Sequence, residues 1–333
     1  MKAAVLRGPR DLAVEQSPKP EPGRDDVIVR VSRAGLCGTD YRIWRGDRAV
    51  GYPRVLGHEF VGRVEAVGAE VRRVRPGDRV AVEPNYSCGT CPLCREGNRN
   101  LCLSRTAVGI DVDGGFAELA RLPERCCWPL GVNVEDDELV LAEPLAVVVR
   151  AVNRGAPRHG ETAAVVGAGT LGLLALQVLG VRGVRVMVAG RTSRRFALAS
   201  ELGAEETCTV SDTSAAAARR FSGREGVDLV VETAGTAEAV SDALALVRPG
   251  GRIVLTGLPH EPTAVAFFSV VRREVTLLGS MIYQDEFGEA LRLLETRTVR
   301  VSPLVTHRFP LHEIDRAFAA HHQPDSIKVA LVV

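Results

Sequence analysis

The chain has 333 residues, 46% hydrophobic and 25% charged, which is ordinary globular composition and enough length for about two domains. Lys plus Arg (42) nearly balance Asp plus Glu (41), leaving a formal charge of +1 and excluding a surface that tracks phosphates by counterion release. Nucleic acid is therefore not an expected partner, and 33 Gly with 18 Pro spread without a repeat exclude a fibrous or low-complexity chain.

The N-terminal stretch MKAAVLRGPRDLAVEQ gives too short an apolar run for a secretory leader, so a cytoplasmic location is expected. In a reducing compartment, eight cysteines point to metal or thiolate chemistry before disulfides. Valine-rich runs at 27–31, 62–67 and 79–82, separated by turn signals such as Arg75-Pro76-Gly77-Asp78, predict small antiparallel sheets or a barrel. Among them lie two suggestive pieces. Cys37 sits in the glycine-framed turn Gly35-Leu36-Cys37-Gly38-Thr39-Asp40, and Gly57-His58-Glu59 sets an imidazole beside a carboxylate. A thiolate, a neutral imidazole and a carboxylate can form an open zinc sphere, although any one of them alone is more often a packed residue.

Next comes Cys88-x2-Cys91-x2-Cys94-x7-Cys102, inside a Gly- and Pro-containing segment. Four soft ligands at this spacing fit a tetrahedral zinc site that leaves no place for substrate, so its role is structural. Cys126, Cys127 and Cys208 fall outside the pattern and are expected to be buried, inert thiols.

The uncharged stretch 162–181 is long enough to suggest a membrane span, but its glycines and its change from β-rich to leucine-periodic residues predict strand, turn and buried helix instead. Strand-then-helix patterns continue through VRVMVAG/SRRFALASELGA and VDLVVETAG/AEAVSDALALV to the strand GRIVLTGL, which indicates a parallel sheet covered by helices. The remaining helices, 287–295 and 312–320, and a strand-like C-terminus are read as returning to the first domain.

Gly167-Ala168-Gly169-Thr170-Leu171-Gly172 matches G-x-G-x-x-G between a strand and a helix, the context of a dinucleotide loop. Gly167 permits the turn, Gly169 admits a pyrophosphate to the backbone, and Gly172 lets helix and strand pack closely. The acidic residue that usually holds the adenosine ribose about twenty residues later is missing, since no Asp or Glu occurs from 162 through 200. That position reads Gly190-Arg191-Thr192-Ser193-Arg194-Arg195, and a guanidinium with hydroxyls suits a 2′-phosphate, which favours NADP over NAD. Ala234 and Gly257 complete the expected cofactor-binding set.

Together, Cys37-Gly38-x-Asp40, Gly57-His58-Glu59, Arg75-Pro76-Gly77-Asp78-Arg79-Val80, the four-cysteine lobe, Gly114-Gly115-Phe116-Ala117-Glu118 and the glycine loop occur in the order of zinc-dependent medium-chain alcohol and polyol dehydrogenases. The chain resembles their sorbitol and threonine dehydrogenase branch over nearly its whole length. The resemblance implies an α/β chain with a GroES-like β-rich catalytic domain (1–147 and 284–333, with the structural-zinc lobe at 85–103) and a Rossmann domain with a doubly wound parallel sheet (148–283). It also implies two zincs per subunit, NADP or NAD, a homodimer or homotetramer, and no membrane partner. Cys37 and His58 become catalytic zinc ligands, with Glu59 as third ligand and Glu143 as the close alternative to it or an exchanging ligand, since no cysteine stands at the domain junction Leu141-Ala142-Glu143-Pro144-Leu145. Thr39 takes the place of a hydroxyl proton relay, and Tyr41, Trp44 and Phe116 become candidates for the substrate cleft.

The reaction so implied is hydride transfer between a secondary alcohol and NAD(P). Threonine dehydrogenases of the family typically carry a histidine just before the lobe, where Glu83-Pro84-Asn85-Tyr86-Ser87 stands here. That favours a polyol or sugar, with L-threonine or another amino alcohol as the alternative. A reading of another class, a non-catalytic nucleotide-binding protein on the same scaffold, is opposed by the joint presence of Cys37, Thr39, His58 and Glu59. His159, His260, His307, His312, His321 and His322 fall outside the motifs, and His321 and His322 are expected at a solvated helix end.

Overall fold

The computed structural model describes every residue of 1–333 except Val132, Asn133, Asp212, His260 and Glu261, so the expectation for His260 lies outside the described residues. The chain divides into two compact units: Met1–Glu143 with Ala290–Glu295 and Val301–Val333, and Pro144–Glu289 with Thr296–Arg300.

In the first unit the strand Asp26–Leu36 is central. It pairs antiparallel with Glu59–Val67, with Leu119–Pro123 and with the C-terminal strand Lys328–Val332. Arg79–Val82 and Cys127–Pro129 extend the sheet on one side, and Val305–Pro310, parallel to the C-terminal strand, extends it on the other. A smaller sheet is built from Lys2–Gly8, Asp11–Gln16 and Arg54–Val55. The alternating valines of these strands supply one continuous core that includes Val27, Val29, Val31, Leu36, Phe60, Phe116, Phe318 and Leu331.

The second unit holds a parallel sheet in the order Glu206–Thr209, Arg185–Gly190, Thr162–Val166, Val227–Glu232, Val247–Leu255, Thr276–Gly279. Thr162–Val166 is buried throughout, as befits a strand covered on both faces. The helix Thr170–Val181 follows it, with every residue from Gly172 to Leu179 buried. The uncharged stretch is thus strand, turn and core helix. No helix among the described residues is long and apolar enough to cross a membrane.

The division differs from the expected boundaries in the C-terminal region. Glu286–Glu289 stays with the second unit, where Arg150 pairs with Glu286 at 3.2 Å and Arg182 with Glu289 at 2.8 Å. Thr296–Arg300 stays there too, because the Gln177 side chain accepts from Arg300 N at 2.7 Å and donates to Arg300 O at 3.0 Å.

Candidate active site and cofactor site

Cys37 is the N-cap of the helix Gly38–Arg45, and two reciprocal hydrogen bonds fix it there. Thr39 N donates to Cys37 Sγ at 3.4 Å, and Cys37 N donates to Asp40 Oδ2 at 2.9 Å. This is a capping box with sulfur in place of the usual hydroxyl. The other oxygen of the fully buried Asp40 lies 3.3 Å from His58 Nδ1 and accepts from Gly57 N at 3.4 Å. Asp40 therefore ties the two motif loops together.

The ligand atoms of Cys37, His58 and Glu59 all lie within 4.8 Å of one another, with His58 and Glu59 buried. Soft thiolate, imidazole and carboxylate in one largely buried cluster fit zinc. Burial disfavours a charged His58, but Asp40 and Cys37 outweigh it and hold the imidazole well above its usual range. Glu143, in the first turn of the helix Ala142–Gly155, falls outside that group of three but within reach of its charges. Burial pushes it up to about 7 against the pull of His58, and Glu59 adds to the rise.

Thr39, the second residue of the helix Gly38–Arg45, is half-buried. Tyr41 and Trp44 are also half-buried there, their rings 5.3 Å apart. Phe116 departs from expectation: it is 0% exposed, packs edge-on to Phe318 at 6.3 Å and fills the space beside Gly57. Its ring belongs to the core and offers substrate no surface. His321 departs as well, since it is only partly exposed, with its ring 6.1 Å from Tyr41 and Nε2 4.0 Å from where a Cβ on Gly38 would stand. His322 is exposed, with its ring tilted by 56° against that of Tyr41 at a centroid distance of 3.7 Å. His159 packs against Gly183, His307 contacts Thr306 at 2.9 Å and His312 lies 4.0 Å from Glu313.

The Sγ atoms of Cys88, Cys91, Cys94 and Cys102 likewise lie within 4.8 Å of one another, and Cys88 and Cys102 are 3.5 Å apart. Backbone N–H groups point at the sulfurs: Cys91 N at 3.3 Å from Cys88 Sγ, Cys88 N at 3.3 Å and Ser104 N at 3.4 Å from Cys102 Sγ. The amides of Thr90 and Cys91 lower the Cys88 thiol to about 6, the direction a metal thiolate needs. Cys126 and Cys127 are buried, and burial pushes the Cys127 thiol up to about 12; Cys208 is raised for the same reason.

In the second unit, parallel register brings the expected cofactor residues to the carboxyl edge of the sheet: Gly167 to Gly172 after one strand, Gly190 to Arg195 at the end of its neighbour, Ala234 and Gly257 after the next two. Gly167 has φ +106, and a Cβ on Gly172 would collide with Gly167 O, so both positions require glycine. Gly169 is the N-cap of the Thr170–Val181 helix and brings no side chain to it. Arg195 donates to Ala168 O at 3.2 Å. Arg191 donates to Thr236 Oγ1 at 3.1 Å and lies 3.8 Å from Glu238. The buried Glu232, absent from the expected set, accepts from Ala234 N at 2.6 Å and Gly235 N at 2.7 Å, and its backbone carbonyl accepts from Gly257 N at 3.3 Å.

Residues 23–132 match the alcohol dehydrogenase GroES-like domain family, and residues 170–296 match the zinc-binding dehydrogenase family. A curated human sorbitol dehydrogenase is 34% identical over 98% of this chain and 94% of its own length. An L-threonine 3-dehydrogenase of Streptomyces avermitilis is 37% identical over 96% and 95%. Among solved structures, a zinc-binding dehydrogenase of Sinorhizobium meliloti 1021 bound to NADP superposes with a TM-score of 0.93 at 32% identity, covering 100% of this chain and 99% of that one. A short chain alcohol dehydrogenase from Escherichia coli CFT073 complexed with NADH gives 0.93 at 33%, again covering 100% and 99%.

Proposed function

Since this chain belongs to the zinc-dependent medium-chain alcohol dehydrogenase family, we propose that it oxidises the secondary hydroxyl of a polyol or sugar, with NADP preferred as hydride acceptor. The observation that carries this reading is the convergence of Cys37, His58 and Glu59 within 4.8 Å. Zinc held by these residues supplies Lewis acidity that lowers the pKa of the substrate hydroxyl. Asp40, engaging His58 Nδ1, leaves Nε2 as the metal-binding nitrogen and fixes the ring's orientation. Thr39 passes the departing proton towards solvent through its hydroxyl. Glu143 serves as an exchanging carboxylate, and Tyr41 with Trp44 forms an amphipathic wall for a polyhydroxylated chain. In the second unit, the glycine loop and helix N-terminus hold the pyrophosphate and align the cofactor. A homo-oligomer fits the edge strand Thr276–Gly279 together with the exposed Phe267, Phe268 and Val271 just before it.

The test is turnover of a panel of polyols, sugars and L-threonine with NAD and NADP separately, before and after chelation. Chelator-sensitive oxidation of a polyol or sugar is expected. Preferential turnover of L-threonine would transfer the assignment to amino alcohols, the reading favoured by the 37% identity to a threonine dehydrogenase. No turnover of any alcohol would overturn the proposal.

The cofactor preference has its own test. Arg191→Ala removes the charge offered to the 2′-phosphate, so KM for NADP should rise about 10- to 100-fold while KM for NAD holds. Equal changes for both cofactors would show that Arg191 does not read the phosphate.

A further inference from the structure

Only three of the 42 cationic side chains are lysines, and one of them, Lys328, is 3% exposed. A buried ammonium is costly unless it is paired and hydrogen-bonded, so its partners carry information. Lys328 Nζ donates to Leu36 O at 3.3 Å and forms an ion pair with Glu59 Oε2. The central strand brings them together: Ala330 pairs with Gly35 on one side, and Glu59 pairs with Gly35 on the other. A Cβ on Gly35 would strike Glu59 Oε2 and stand 3.3 Å from Lys328 Cε, so the pair depends on glycine at that crossing. A compact ammonium fits there, whereas a planar guanidinium is wider and spreads its charge.

The donor set explains why a cation is buried at this point. Lys328 is a cation set against an acidic donor group, Cys37 and Glu59 with the buried Asp40 behind His58. It also occupies one of the two oxygens with which Glu59 could bind a metal.

We propose that Lys328 is a positioning residue of the metal centre, sharing the Glu59 carboxylate with zinc so that Glu59 stays a weak, displaceable ligand and a coordination position remains open to substrate. The proposal rests on the reading of Cys37, His58 and Glu59 as the metal centre.

The experiment compares wild type, Lys328→Met, Glu59→Gln and the double variant. Zinc loss to a chelator is followed per site, and visible absorption is recorded after cobalt substitution, since band intensity reports coordination number. With Lys328→Met, Glu59 is released to the metal. Loss of the catalytic metal should slow by about tenfold, the cobalt bands should weaken towards higher coordination, and kcat should fall with it. In the Glu59→Gln background the same change should have no further effect on metal loss or spectrum. Unchanged or faster metal loss with an unchanged spectrum in Lys328→Met, at wild-type melting temperature, overturns the proposal. Should Lys328→Met fail to fold, Lys328→Gln carries the same readouts. A wild-type protein that takes up only the lobe metal overturns the metal-centre reading itself, whereas a second metal indifferent to Lys328 overturns only the role given to the lysine.

Discussion

Cys37→Ser is expected to lower kcat/KM by at least about 10³-fold, with the fold intact. The sulfur contributes the soft ligand of the three-residue cluster, and a serine hydroxyl neither ionises near neutral pH nor reaches as far. The helix Gly38–Arg45 should survive the change, because serine is a good N-cap and Asp40 still closes the reciprocal bond to the cap's backbone N–H. Activity and structure are therefore separable at this position. Metal analysis should find the catalytic zinc lost and the lobe zinc retained, with the melting temperature within a few degrees of wild type. Turnover within tenfold of wild type would remove Cys37 from the catalytic centre.

Cys102→Ala should do the reverse. The lobe consists of turns, the four-residue helix Pro92–Arg95 and the 3₁₀ turn Arg99–Leu101, which bury almost no side chains. Nothing apolar holds it closed, so the stability of the lobe comes from the metal bonds. Removing the buried fourth ligand should release one zinc per chain and raise proteolytic cleavage within 85–103 by at least tenfold. A lobe as protease-resistant as wild type, with zinc still bound, would refute a metal-dependent role for Cys102.

The features legible in the sequence were those in which chemistry depends on short spacing. Four cysteines close one site by themselves, and a glycine loop between strand and helix identifies a dinucleotide fold from six residues. The inner parallel strands, covered on both faces, appear as apolar runs. The outer strands do not: Glu206–Thr209 is short and polar, and Thr276–Gly279 is four residues long, so neither stood out from the strand-helix pattern. Contacts between distant positions were equally hidden. Lys328 and Glu59 are 269 positions apart, and only the meeting of three strands at Gly35 joins them. Scarcity of lysine was the one available signal. Asp40 stands within the Cys37-Gly38-x-Asp40 turn, yet its hold on His58 becomes evident only when the two loops meet. Phe116 is buried because proximity to a glycine-rich motif does not decide which way a ring points, and His321 lies beside Tyr41 because a helix end near a Pro need not face water.

The first unit is stitched from both ends of the chain, and its central strand lacks one neighbour until Lys328–Val332 has been made. During synthesis, the parallel-sheet unit has all its residues by Arg300, so it can close while the other still waits. Cys37, His58 and Glu59 are made long before Lys328, whose ammonium pairs with Glu59. A nascent chain therefore carries the thiolate, imidazole and carboxylate without the cation that pairs with Glu59 until its last described strand has been made.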